Sequence, residues 1–331
     1  MEARKLQTTA AGTFMVTIPK AWVSSLGLVK GGVMYLELED REVVLSPASG
    51  RPPAQSRPLD IDKVHDRKML ELSISASYIQ GHDITEIISK DKILPEQKRW
   101  IREAVDNLIG VEIAEEYADR VVLQNLVDPR MFDLDKSMKK FCDSTLAVLS
   151  DAIKGLRRGD KVLAQDAFER GYQSTKLYRL LMRLALQVLR NRKLRDELKV
   201  HSVESVAVKM MAIKDLGRSA YYAYRVAQHV TEMKEKLDSS EISLVEKMAR
   251  VTARMQEGAF DAFVEKDLSL ASSVIDRMDE VRKLYEMIYS SQLRKDQAGP
   301  SLPFTLIIRD VRGIAGYAVA LADEAVLAAF D

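Results

Sequence analysis

Val203, Val206, Met210, Ile213, Gly217, Ala220, Tyr224 and Ala227 step by three and four along the chain, tracing one face of a helix and the seam of a bundle. The same rhythm runs through everything after residue 133. It predicts six helices, over 133–158, 160–192, 203–236, 240–266, 268–293 and 304–330, joined by short connections that force antiparallel neighbours. Ahead of residue 130 the pattern changes. Alternating runs at 84–89, 111–116 and 120–126 read as strands, and 65–81 and 95–109 as helices, the second with Pro95 in its first turn. Earlier still, 13–18 alternates as a strand, and Pro19 opens a short helix that Gly27 closes. A hairpin follows, 33–39 and 42–46 around a turn at Asp40–Arg41. Four prolines between Ser46 and Pro58 deny that stretch regular structure and mark a linker.

The helical part repeats. Lys176-Leu177-Tyr178 falls on Lys283-Leu284-Tyr285 at an offset of 107, and the same offset brings Gly159-Asp160 onto Lys266-Asp267. The helix after each copy matches at an offset of 95, with Asp215, Ala220, Tyr222 and Ala223 over Asp310, Ala315, Tyr317 and Ala318. A duplicated unit says which elements pack together. The expected fold is therefore multidomain: a β-rich head at 1–48, a linker at 49–62, an α+β module at 63–130, and an all-α body at 133–331. The body is built from two three-helix repeats, about 133–236 and 240–330.

Charge narrows the functions. The chain has 331 residues with 50 basic and 49 acidic side chains, a net +1, so no field of one sign covers it. Residues 135–199 depart from this balance with sixteen basic and eight acidic side chains. Lys176, Arg179, Arg183 and Arg190 recur there at three, four and seven on one helix face. That face is either solvated surface or a dock for an acidic partner or an anion. The single cysteine, Cys142, cannot form an internal disulfide, which suits a reducing cytoplasm. The longest uncharged run, 6–19, is too short to cross a membrane, so no membrane insertion is expected. No Ser-His-Asp set, phosphate loop or zinc spacing is present, and an enzyme is not expected. His82, Asp83 and Glu86 are sequence neighbours on a turn and strand and do not converge on a metal. His201 and His229 lie ~42 Å apart along one helix, too far to share a ligand, and are placed at helix ends and on the surface.

Two stretches resemble known families. The runs Thr17-Ile18-Pro19-Lys20-Ala21-Trp22 and Leu26-Gly27-Leu28-Val29-Lys30-Gly31 resemble the AbrB/SpoVT swapped-hairpin DNA-binding domains. The resemblance implies that two chains interlace into one dimeric barrel. It makes Arg4, Lys5, Lys20 and Lys30 the DNA-binding candidates. Thr13, Phe14, Val23 and Ser24 stand where many relatives carry arginine, so part of the usual basic set is absent.

The pattern Asp151-Ala152-Ile153, Gly159-Asp160 and Ala164, its second copy at 258–271, and the alanine-rich third helices resemble the PhoU family of phosphate-uptake regulators. That resemblance implies a Glu-x-x-x-Asp signature holding iron or zinc clusters on the third helix of each repeat. Here those positions read Gly217, Tyr221, Arg312 and Gly316, so neither a metal nor another cofactor is expected. Gly217, Gly313 and Gly316 are expected to let the helices approach closely. Head and body together resemble an archaeal group of regulators. The combination implies a cytoplasmic homodimer that binds its own or phosphate-transport promoters. The alternative is an adaptor acting on a phosphate ABC transporter or a phosphate-signalling protein without binding DNA.

Overall fold

The computed structural model describes residues 2–39, 42–47, 56–198, 200, 202–234, 237–295 and 301–330. The chain divides into two compact units, residues 1–55 and 56–331.

In the first unit β1 (Gln7–Thr8) pairs antiparallel with β2 (Phe14–Met15), and α1 (Lys20–Ser25) follows Pro19. β3 (Met34–Glu39) then pairs with β4 (Glu42–Pro47), placing Leu36 opposite Leu45 and Leu38 opposite Val43. The strand expected over 13–18 keeps only two paired residues, and the turn at Asp40–Arg41 lies outside the described residues. None of the described residues of this unit is buried. Phe14 is 65% exposed, Trp22 50%, Leu36 69% and Leu38 79%. A hairpin with its apolar residues in water has no core of its own, and a segment this short rarely supplies one without a partner.

The second unit begins with a strand where the linker was expected. β5 (Ser56–Asp60) runs parallel to β6 (Ile84–Ile88), with Pro58 opposite Glu86. Proline is tolerated because β5 is an edge strand with one neighbour, so its missing N–H disrupts no central ladder. α2 (Arg67–Ile79) crosses between β5 and β6, α3 (Pro95–Asp106) follows, and β7 (Val111–Glu116) and β8 (Arg120–Asn125) complete an antiparallel edge. The sheet order is β5-β6-β8-β7.

The helical body follows the predicted rhythm with two interruptions. α4 (Leu134–Arg158) and α5 (Lys161–Arg190) are long, and Asn191 leaves the helix to cap the short α6 (Arg192–Glu197) with its side chain. α7 (Val203–Glu232) and α8 (Ser239–Glu265) follow. The fifth expected helix is broken at Arg277 into α9 (Leu268–Asp276) and α10 (Met278–Lys295), with neither proline nor glycine to announce it. α11 (Leu302–Ala329) closes the chain. The turn inside each repeat is built alike. Gly159 at φ 64° precedes Asp160, whose carboxylate accepts from the N–H groups of Val162 and Leu163 at 3.1 and 3.0 Å. Lys266 at φ 57° precedes Asp267, which accepts from Ser269 and Leu270 at 2.8 and 3.0 Å.

The α+β module and the helical body, expected as separate domains at 63–130 and 133–331, form one unit because they share α5. Leu181, Ala185 and Val188 bury in the core of the body, while Leu180 and Leu184 bury with Ile74, Ile87, Ile101 and Leu123 of the module. Arg183 lies between the two cores and is fully buried. Its guanidinium donates to the carbonyls of Tyr78 at 2.6 Å, His82 at 2.9 Å and Gly81 at 3.3 Å. It also lies 3.3 Å from Asp83 and 5.1 Å from the centre of the Tyr78 ring. These carbonyls belong to the C-terminal end of α2 and the turn beyond it, where the dipole is negative and the Tyr78 carbonyl has only a turn bond from the Gly81 N–H besides. Arg183→Leu would strand them in a dry site. A stability loss of about 3–5 kcal/mol is expected in urea unfolding, against about 1 kcal/mol or less for Arg190→Ala at the exposed edge of the same contact. Equal small losses would mean that apolar packing alone holds the module.

Candidate functional site

Arg4, Lys5, Lys20 and Lys30 are all exposed, with Lys20 opening α1 and Lys30 in the turn ahead of β3. Arg4 pairs with Glu2. Lys5, Lys20 and Lys30 make no ion pair among the described residues, which leaves their ammonium groups free for an anionic surface.

The basic face of α5 has an occupant from its own chain. Arg179 donates to the carbonyl of Asn107 at 3.3 Å and lies 3.7 Å from Glu71, and Arg190 donates to Gln80 through its carbonyl at 2.8 Å and its side-chain oxygen. With Arg183 they hold the α+β module. Three of the four residues expected to face a partner or an anion are therefore engaged by the module, with Arg183 buried, Arg179 half-buried and Arg190 at the exposed edge, and Lys176 is left half-buried. Spacing alone identified a basic face but could not say that the acceptors were main-chain carbonyls a hundred residues earlier.

Other polar groups lie where α7 meets α11. The carboxyl of Glu324 packs against that of Asp215, the rings of Tyr222 and Tyr317 are 5.9 Å apart, and His229 Nε2 lies 3.4 Å from Asp310 Oδ2. The offset of 95 carries Asp215 to Asp310, His229 to Glu324 and Tyr222 to Tyr317. The first pair thus maps onto the third, and the tyrosine pair onto itself. That is the signature of a local two-fold axis through the tyrosines, relating two copies of one helical unit. The sequence model of the PhoU domain matches both copies, at residues 138–230 and 245–325. The chain belongs to the PhoU family.

Solved PhoU proteins have the same fold. PhoU from Pseudomonas aeruginosa superposes with a TM-score of 0.53 at 20% identity, covering 60% of this chain and 96% of that one. The phosphate transport system regulatory protein PhoU from Streptococcus pneumoniae gives 0.50 at 19% identity, covering 59% and 92%. Residues 7–53 match a second model, described as antidote-toxin recognition MazE, bacterial antitoxin, so a MazE/AbrB-like domain precedes the PhoU body. No curated protein matches the sequence.

Within this PhoU fold the residues do not fit the metal clusters that the family resemblance implies. At the first signature Gly217 lies against the Tyr178 ring, where an added Cβ would come within 2.6 Å, and Tyr221 supplies no carboxylate. At the second, the Arg312 guanidinium lies 5.0 Å from the centre of the Tyr285 ring, a fixed positive charge where a cation would need donors. Among the described residues no group of three or more His, Cys, Asp and Glu is placed to hold a metal ion. Of the glycines expected at close approaches, Gly313 sits where an added Cβ would come within 3.2 Å of the Tyr222 ring, but a Cβ at Gly316 would meet nothing within 4 Å. His201 lies outside the described residues. His229 is not on the surface: it is 1% exposed, held by Glu232 at 3.1 Å and beside Asp310, which accepts from Arg309 Nε at 2.8 Å. Cys142 is fully buried, and burial pushes its thiol up to about 12, so it is a core residue rather than a thiolate.

Burial, then the hydrogen bond and charge of Asp215, raise the Glu324 carboxyl to about 9 from an ordinary 4.5. The folded chain therefore holds a proton that the unfolded chain releases, and stability falls as pH rises through that window. Through this group it falls by up to about 1.4 kcal/mol per pH unit. Glu324→Gln keeps an uncharged hydrogen-bonding side chain and should flatten the decline between pH 6 and 8.5 in thermal melts. Parallel slopes for the two proteins would contradict the assignment.

Proposed function

We propose that the chain is a dimeric, DNA-binding regulator of phosphate uptake. The head binds promoter DNA, its own or that of phosphate-transport genes, and the PhoU body takes its signal from a protein of phosphate transport or phosphate signalling. The observation that carries this reading is the uncovered apolar surface of the head. Leu36, Leu38, Phe14 and Trp22 enter no core among the described residues, and a second copy of the same hairpin would give them one. Dimerisation also doubles Arg4, Lys5, Lys20 and Lys30 on one small domain, concentrating cations in a chain whose net charge is only +1. The phosphate part of the reading draws on the kinship with PhoU, including the phosphate transport system regulatory protein of Streptococcus pneumoniae. Regulation rather than catalysis follows from the same kinship.

The adaptor reading draws support from one contact. Arg4 is paired with Glu2, and a DNA phosphate would have to displace that carboxylate. Binding of the full chain to its own upstream DNA, measured at several salt concentrations, separates the two. Phosphate contacts give a log–log slope of about −0.9 each, so replacing Arg4, Lys5 and Lys20 together by alanine should weaken binding to all sequences and flatten the slope. Unchanged affinity in a triple variant that light scattering shows to be dimeric would leave the adaptor.

A further inference from the structure

The two PhoU repeats differ in the contact between their second and third helices. Between α5 and α7 of the first lies an open groove of about 560 Å³, floored by Met182, Leu189, Met210 and Met211, with Lys214 and Arg218 on one rim. Position 217 on its wall is glycine, and with no side chain there Tyr178 lies against the backbone of α7. The offsets of 107 and 95 carry Tyr178 and Gly217 onto Tyr285 and Arg312 of the second repeat, where the guanidinium covers the ring. One architecture is thus open in its first copy and filled by arginine in its second.

The geometry points to this groove as the docking site for an amphipathic helix of a partner protein, apolar on one face and carrying carboxylates one turn apart on its edge. Three observations select that occupant. Tyr178 to Leu189 and Ala207 to Tyr221 give the walls lengths of roughly 16 and 21 Å at 1.5 Å per residue, three to four turns of a helix. Methionine floors adapt to the side chains of a docking helix, and Met211 at 46% exposed and Tyr221 at 40% offer it apolar surface. Lys214 and Arg218 are exposed, four residues apart, and make no ion pair or hydrogen bond among the described residues. They match carboxylates at the same spacing on a facing helix. A small polar ligand fits less well, because the groove is open along its length and apolar in its floor. The proposal rests on reading the body as a partner-binding regulator and not on DNA binding, so a negative result with DNA leaves it standing.

The test uses the full chain and two stapled helical peptides of groove length. Both carry leucine and methionine on one face; one has glutamates and the other lysines at i and i+4 on the edge. Fluorescence anisotropy should show saturable binding of the glutamate peptide, at least tenfold tighter than the lysine peptide. Lys214→Glu with Arg218→Glu should invert the preference, which a general loss of structure would not do. Gly217→Arg, copying the second repeat, should close the groove to both peptides. Should that variant fail to fold, Met211→Asp, at an exposed position, should weaken both peptides at least tenfold. Equal binding of the two peptides, untouched by charge reversal, would overturn the proposal. So would a drop in oligomeric size on Met211→Asp, which would assign the groove to a second copy of the chain.

Discussion

A single buried guanidinium holds the larger unit of this protein together. Arg183 leaves α5 between two hydrophobic cores and donates to three carbonyls at and beyond the end of α2, of which that of Tyr78 also accepts from the Gly81 N–H. A cation taken fully out of water is tolerated only when most of its donors are used and the local field is negative, and both hold here. Burial draws its pKa down, but the ring of Tyr78 and the carboxylate of Asp83 oppose that shift. The apolar neighbours Leu180 and Leu184 would pack against the module in many registers, whereas the carbonyl fork accepts Arg183 in one. Hydrophobic contact supplies adhesion, and the arginine supplies position.

This arrangement gives α5 three neighbours at once. One face enters the core of the PhoU body, the second carries the α+β module, and the third, through Tyr178, Met182 and Leu189, forms a wall of the groove. A helix bound in that groove would bear on the same element that orients the module. The seam of α7 and α11 lies beyond it, with its protonated Glu324 and the buried His229–Asp310 pair. Those groups show how the duplication was kept in outline while its chemistry diverged: both pairs bridge α7 and α11, and the two-fold axis relates a carboxyl pair to a histidine–carboxylate pair.

Much of this was legible in the residues because helical periodicity and internal repetition are strong local signals. Val206, Ile213, Ala220 and Ala227 of the expected seam are buried, though Val203 is exposed and Met210 and Gly217 line the groove, and the two Asp-capped turns and the α+β elements stand close to where the spacing put them. The failures share a cause, which is that tertiary partners override local pattern. Proline at position 58 argued for a linker, yet an edge strand has no need of its missing N–H. Arg179, Arg183 and Arg190 read as a surface stripe because nothing in their spacing reveals acceptors near residues 78–83 and 107. A position near a helix end puts His229 at the surface, because its buried partner on α11 is not visible in local sequence. Nothing in the sequence around Arg277 signals the break in the fifth helix.

If α5 unites module and body, the two must lose structure together. Trp100 lies in α3 of the module, and Trp22 is the other tryptophan. In the full chain carrying Trp22→Phe, fluorescence therefore reports on the module while circular dichroism at 222 nm reports mainly on the long helices of the body. The account predicts coincident urea transitions by the two probes, with one midpoint and one slope. A fluorescence transition complete before the helical signal begins to fall would show that the module unfolds from an intact body, and would contradict it.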